Sequence, residues 1–499
     1  MLPRTPLYRY LGLFFALVFV WYYGPSLTGS PLSDLRGGTP TSPFNGGSDQ
    51  LSWVKEVLKK HNVGPEISYA ARTLKYIPDA KERLSMTEVD QDLFPENFTD
   101  IKVDEKTSLP LGTKLNVHVP EVLRPSAADA SSLIFGVSTT FKRFTSEDTS
   151  PVAEWTRWLT DGKGNSNGAG LILALFNTTD VEIGHAADRL AIAGINATVV
   201  ASNPSLDMAG RYVDLVQMLY NHPTAKQRKY FSLIDDDTFF PFMNELLRTL
   251  SKYNPAKPYY IGTFTERVDW ILSNTVPMAY GGGGIFLTAP VASELVKAPC
   301  LQKNAEGAYL VGGDQGDRVL YNCIHQHTDF VMTYLPLLSQ EDEFGDPAGF
   351  YESGRKHLSL HHYKSWHHTH IAALHTVADA CGEDCVMQRF QFKDNFILSN
   401  GYSVAQYPRG IDFDVDHMES TFDYPQGKEG VIHSYAFGEM RKKLTRTGRK
   451  RAWEIVEART EKEGRVQQVY VKRAADERWV GEGEERPALD SVVVLTWIP

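Results

Sequence analysis

The chain has 499 residues, 42% of them hydrophobic and 22% charged, an ordinary globular composition long enough for two or three domains and a sizeable core. A net charge of −10 at pH 7, with no coherent basic stripe, argues against a nucleic-acid binder. The one locally basic stretch, Arg441 to Arg451, reads as a solvated turn between strands.

In chain order, the apolar run Tyr10 to Tyr23 follows Arg4 and Arg9. No small-x-small cleavage site comes after it, and aromatic residues mark its far end. An uncleaved signal anchor over 7–23 is therefore expected, with 1–6 as a cytoplasmic tail and the rest of the chain luminal. A cleaved signal is the alternative. Residues 24–50 are dense in Pro, Gly and Ser and read as a flexible stem. Residues 51–130, an N-terminal luminal extension, contain an amphipathic piece (Leu51 to Lys60) and Pro-punctuated stretches with no recognisable motif.

From Ser131 the texture becomes βαβα. Strand-length runs at Leu133–Val137, Leu171–Phe176 and Ala197–Val200 alternate with helical patterns at Pro151–Thr160, Val181–Ala193 and Leu206–Tyr220. This is the rhythm of an α/β, doubly wound, mostly parallel sheet, expected over 131–410. Next comes Tyr230-Phe-Ser-Leu-Ile234, an apolar strand running straight into Asp235, Asp236 and Asp237. Three adjacent carboxylates at the end of a buried strand repel one another unless a cation or donors compensate. Alternation sends Asp235 and Asp237 to one side and Asp236 to the other, and such a pair of oxygen ligands suits a hard divalent ion.

Further on, Gly281 to Gly284 precede a strand-like Ile-Phe-Leu, a spacing that lets backbone approach where a Cβ would clash. No Gly-Lys-Ser/Thr follows, so this is not a phosphate loop. Val311-Gly-Gly-Asp-Gln-Gly-Asp317 opens a helix, with Asp314 or Asp317 near its first turn. Six histidines lie between His357 and His370, of which one or two are plausible ligands, since histidines on one short strand cannot all reach a single ion. Cys300, Cys323, Cys381 and Cys385 form an even set that fits two disulfides in an oxidising compartment, nearest neighbours paired. Asn97, Asn177 and Asn196 begin glycosylation sequons. Residues 411–499 read as a small β-rich accessory region, with a hairpin over Arg451–Ala458 and Arg465–Val471 and a strand at Ser491–Trp497.

The acidic triplet after its strand, Lys257-Pro-Tyr-Tyr-Ile-Gly262, the glycine run, the aspartate loop before Cys323 and the histidine strand occur in an order that resembles the fringe-like β-1,3-glycosyltransferases, over roughly Ser131 to Trp366. The resemblance implies a GT-A fold, a UDP-sugar donor, Mn2+, a glycan or glycoprotein acceptor and a type II Golgi membrane protein; the endoplasmic reticulum and secretion after cleavage are the alternative locations. It places the Asp-x-Asp element on Asp235-Asp236-Asp237, the last holding metal and the earlier ones supporting the donor. The metal-binding histidine falls on His361, with His362 second, and the catalytic base on Asp317 or Asp314. Ser138, Thr139 and Arg143 resemble the uridine-binding opening, and Gly282 and Gly283 line the donor. In this sequence Gln315 and Gly316 split the usual adjacent acidic pair. An inverting sugar transfer is the expected function. A nucleotide-sugar-binding or glycan-binding homologue without activity and a metal-dependent hydrolase are the competing readings.

Overall fold

The computed structural model describes residues 48–104, 108–121, 123–274, 276–423 and 432–499. The expected tail, the anchor and nearly all of the stem lie outside these residues. Among the described residues no helix is long and apolar enough to cross a membrane.

The triplet belongs to a seven-stranded sheet: β1 (Leu133–Thr140), β2 (Gly170–Phe176), β3 (Ala197–Ala201), β4 (Tyr230–Leu233), β5 (Tyr260–Gly262), β6 (Ile285–Thr288) and β7 (Met332–Tyr334), in the order β7-β5-β6-β4-β1-β2-β3. Pairings β1–β2, β2–β3, β1–β4 and β5–β7 are parallel, and β6 runs antiparallel to both its neighbours. This is the expected α/β class with a mostly parallel sheet. Helices Val152–Leu159, Asp180–Ile192 and Met208–Tyr220 make the crossovers. Their starts are written locally: Thr179 and Glu182 form a reciprocal capping box, and Asp207 accepts from the Gly210 amide at 2.9 Å.

Alternation along β1 sends Leu133, Phe135 and Val137 into one core and Ile134 into the other. The Ile134 side packs on helices Met208–Tyr220, Ala289–Leu295 and Gly316–His327. On the other side, Phe135, Trp158 and Phe240 are fully buried with rings 5.0 to 5.5 Å apart. Each such ring stabilises the fold by roughly 2–3 kcal/mol through burial alone.

That second core is shared with a ten-stranded sheet. Its path runs Thr87–Val89, Arg389–Phe392, Phe396–Ser399, Ser403–Gln406, Arg451–Thr460, Val466–Lys472, Asp490–Ile498, Glu66–Ala80 and Thr99–Lys102, with Lys114–Pro120 also on Glu66–Ala80. The C-terminal region is β-rich as expected, and the segment 66–120 completes its sheet, with Glu66–Ala80 lying parallel to the last strand. One reading needs correction. The basic segment before Arg451 is not simply solvated, because Lys450 is fully buried between Glu352 (2.5 Å) and Glu419 (3.0 Å). Two carboxylates offset the desolvation of its ammonium.

Both cysteine pairs are disulfides, Cys300–Cys323 and Cys381–Cys385. The first ties the chain after Ala289–Leu295 to helix Gly316–His327. The three sequon asparagines are exposed.

Candidate active site

Strand β4 stops at Leu233, and the triplet occupies the turn that follows. Thr238 shapes this turn: its hydroxyl accepts from the Asp235 amide at 3.1 Å and donates to the Gly282 carbonyl at 2.9 Å. One residue later, Phe239 and Leu360 exchange two backbone hydrogen bonds of 2.8 Å each. That bridge seats His361 beside Asp237. The carboxylates divide as alternation suggested, although from a turn and not a strand. Asp235 and Asp237 face His361, whereas Asp236 turns back towards β1, where both its oxygens accept from Arg143 (2.6 and 2.8 Å) and one from Thr139 (2.5 Å).

His361 is held in one orientation. Its Nδ1 lies 3.0 Å from the Gln340 carbonyl, an acceptor, so Nδ1 carries a proton and Nε2 points at the carboxylates, 3.1 Å from Asp237 Oδ1 and 3.4 Å from Asp235 Oδ2. Burial disfavours charge on this imidazole, but the two carboxylates outweigh it and hold its pKa well above the ordinary value. For Asp237, burial is likewise overcome, by His361 and His362, and its carboxyl sits well below the usual carboxylate range. The pocket thus stabilises positive charge at this point.

His362, at φ +54°, stacks on Trp366 with ring centroids 3.9 Å apart. Its Nε2 lies 3.2 Å from Asp342 Oδ1, and its buried Nδ1, 3.9 Å from Asp237 Oδ2, has no hydrogen-bond partner among the described residues. Asp237, His361 and His362 each offer a ligand atom within 4.8 Å of the others. A mixed oxygen and imidazole donor set with one orphaned nitrogen fits a divalent ion such as manganese.

Gly281–Gly283 form one buried 3₁₀ turn leading into β6, whose start lies at the same sheet edge as the end of β4. A Cβ on Gly281 would lie 2.1 Å from the Tyr212 hydroxyl and 2.9 Å from Asp317 Oδ1; one on Gly282 would lie 2.2 Å from His361 Cε1. Two consecutive residues of backbone therefore touch the aspartate on one side and the histidine on the other. Gly283 is fixed by Gln340 Oε1 on its amide (2.6 Å) and by the Ser359 hydroxyl on its carbonyl (2.6 Å).

Asp317 sits in the first turn of helix Gly316–His327. Burial and the Asp235 carboxylate push its carboxyl up to about 7, against the pull of the Gly281 amide. A carboxyl poised there is suited to general base work. Asp314, by contrast, is exposed, and among the described residues no hydrogen bond or ion pair ties it to this cluster. Ser138 is half-buried in β1.

Sequence reasoning missed two parts of this site. Tyr212, from the crossover helix Met208–Tyr220, has a buried hydroxyl facing Asp317. The loop Ser339-Gln-Glu-Asp-Glu343 is buried throughout and supports the histidines, Glu341 accepting from the His361 amide at 3.1 Å and from the Tyr351 hydroxyl at 2.9 Å. Its only signal was three acidic residues shortly before the histidine cluster, a pattern that ordinarily means a solvated face.

Fold and site together define an α/β protein with a cluster of candidate metal ligands and a facing, partly buried carboxyl at the carboxyl edge of its sheet. Residues 187–339, under a third of the chain, match the Fringe-like family. The match spans the triplet, the glycine turn and Asp317 and ends before His361. No curated protein matches the chain. Similar solved structures include apo mouse xyloside xylosyltransferase 1 (TM-score 0.26, 12% identity, 41% of this chain and 84% of that one). Others are a glycosyltransferase involved in glycosylation of the major capsid of PBCV-1 (0.26, 12%, 46% and 92%) and the inositol-1-phosphate CTP transferase from T. maritima (0.26, 15%, 41% and 85%). These are distant likenesses, and the functional reading rests on the residues and the family match.

Proposed function

We propose that the protein is a glycosyltransferase that moves a sugar from a UDP-sugar donor to a hydroxyl of a glycan or glycoprotein acceptor, with inversion at the anomeric carbon. The observation that carries this reading is the glycine turn, which sets Asp317 against one residue of backbone and His361 against the next, within a segment that matches the Fringe-like family.

Asp237, His361 and His362 would hold the divalent cation, which supplies positive charge against the donor's diphosphate. Asp235, the most open carboxylate of the triplet with 42% of its side chain exposed, would meet the donor. Asp236 contributes by holding Thr139 and Arg143. On the opposite side Asp317 accepts the acceptor hydroxyl's proton as that oxygen bonds to the anomeric carbon. The bond from that carbon to the diphosphate breaks, and its electron pair leaves with UDP. In-line geometry with base and leaving group on opposite faces inverts the centre.

Two disulfides support an oxidising compartment, and we place the catalytic region in the lumen of the secretory pathway. A screen of UDP-sugars with the purified protein, reading UDP release with manganese and with EDTA, tests the reading. Release that needs both manganese and an acceptor is expected; release that proceeds equally without acceptor identifies a hydrolase instead.

A further inference from the structure

The ten-stranded sheet carries a cleft of about 460 Å³, within the size range of small-molecule sites and built from residues distant in sequence from the triplet. Its floor is a row across five adjacent strands. Gln406 pairs with Arg451, Lys472 with Ser491, and Ser491 with Ser68, while Trp453 shares the strand of Arg451. The row is braced internally: Trp453 Nε1 donates to Ser491 Oγ at 2.9 Å, and that hydroxyl donates to the Ser68 carbonyl at 3.2 Å.

Lys472 is the unusual member. It is 6% exposed, its ammonium lies 5.7 Å from the Trp453 ring centre, and among the described residues it makes neither a hydrogen bond nor an ion pair. Among the described residues Arg451 beside it makes no ion pair either. The nearby carboxylates are engaged elsewhere: Asp476 with Arg478 (2.8 Å), Asp490 with Arg473 (2.9 Å), and Glu484 with the Gly481 amide (3.0 Å), leaving Glu485 exposed at the rim. Lys450, the other buried lysine of this sheet region, shows the usual arrangement with two carboxylates on its ammonium. A cation on a largely buried side chain with no carboxylate in ion-pair contact is costly, and a second cation next to it adds to the cost. Burial and Arg451 lower the Lys472 pKa, against the opposing pull of the Asp476 and Asp490 carboxylates.

We propose that this cleft is a second ligand site, which takes a small oxyanion-bearing molecule through Lys472 and Arg451. Trp453, Trp479 and Phe98 also line the cleft, and hydroxyl and amide groups in the row complete a surface suited to a polar ring. The shared chemistry is the oxyanion, which either an acidic sugar or free phosphate could supply. The site is independent of the sugar-transfer reading, and either can fail alone.

Calorimetric titration of the purified full chain in EDTA, with sodium glucuronate, inorganic phosphate and glucose as probes, tests it. Binding of glucuronate or phosphate is expected, with no heat from glucose. Stronger binding of glucuronate identifies the acidic sugar as the source, and equal or stronger binding of phosphate identifies the free oxyanion. Lys472→Met should weaken the bound anion by about tenfold or more, the loss expected of a charge-assisted contact, while melting no lower than the native protein. Arg451→Gln, at a half-buried position, should weaken it several-fold and decides the case if Lys472→Met does not fold. The proposal is overturned if neither anion binds at tens of millimolar, or if binding survives both substitutions unchanged.

Discussion

Gly282 has no room for a methyl group, because a Cβ there would lie 2.2 Å from the ring of a buried histidine that is held by the Gln340 carbonyl at Nδ1 and packs on the His362 ring. Gly282→Ala should displace His361, destabilise the protein by about 1–3 kcal/mol and reduce manganese-dependent activity more than the lost stability explains. Urea unfolding together with a manganese titration checks both. In the proposed reaction Asp317 sets the pH dependence. With its carboxyl at about 7, the base is available only above that value, so kcat/KM should rise with pH through about 7. Asp317→Asn should lose that limb and about 10²–10⁴-fold in rate, whereas Asp314→Asn should leave the profile unchanged. At this scale much of the site was legible. The triplet, the glycine run and the histidine strand each combine a residue type with a spacing that has a chemical reason. Choosing between Asp314 and Asp317 needed burial, which two aspartates three residues apart do not reveal in sequence. Tyr212 looked like one more apolar-face residue of a helix.

Among elements, the helix Met243–Leu250 begins without a side-chain cap of its own, and Glu383 from a distant turn accepts from the Asn244 amide at 3.0 Å. Burial raises this carboxyl to about 8, so the native state retains a proton that the unfolded chain has released above its ordinary value of 4.5. The stabilisation is complete below 4.5 and lost as pH rises to 8, at about 1.4 kcal/mol per pH unit where one proton separates the two states. Glu383→Gln should flatten that descent in urea melts taken from pH 5 to 8; an unchanged slope would contradict the assignment. The local elements of the seven-stranded sheet were readable, since capping and period-two alternation are written within a few residues, as at Thr179–Glu182 and along β1. The short histidine strand reduces to a single bridge at Leu360, where one pair of backbone hydrogen bonds does what a ladder was expected to do.

For the whole molecule, the informative contact is the parallel pairing of Glu66–Ala80 with Asp490–Ile498, which joins the beginning and end of residues 51–499 in one sheet. Nothing periodic in either segment announces the other, because strand order across 400 residues is set by which edges remain after nearer elements have paired. The pairing has a consequence for dissection. A fragment of residues 131–410 keeps Arg389–Phe392, Phe396–Ser399 and Ser403–Gln406 but loses the strands that continue their sheet, leaving Phe390, Leu398 and Val404 uncovered. It should aggregate on expression, whereas 51–499 should unfold in one cooperative step; a soluble, cooperatively melting fragment would contradict the shared core. The central claim is that one pocket gathers cation, donor and base. Asp237→Ala tests it most directly, assayed for UDP release and sugar transfer with manganese and with EDTA alongside the native protein. The account predicts manganese-dependent transfer in the native chain and none in the variant, and manganese-dependent transfer retained by Asp237→Ala would contradict it.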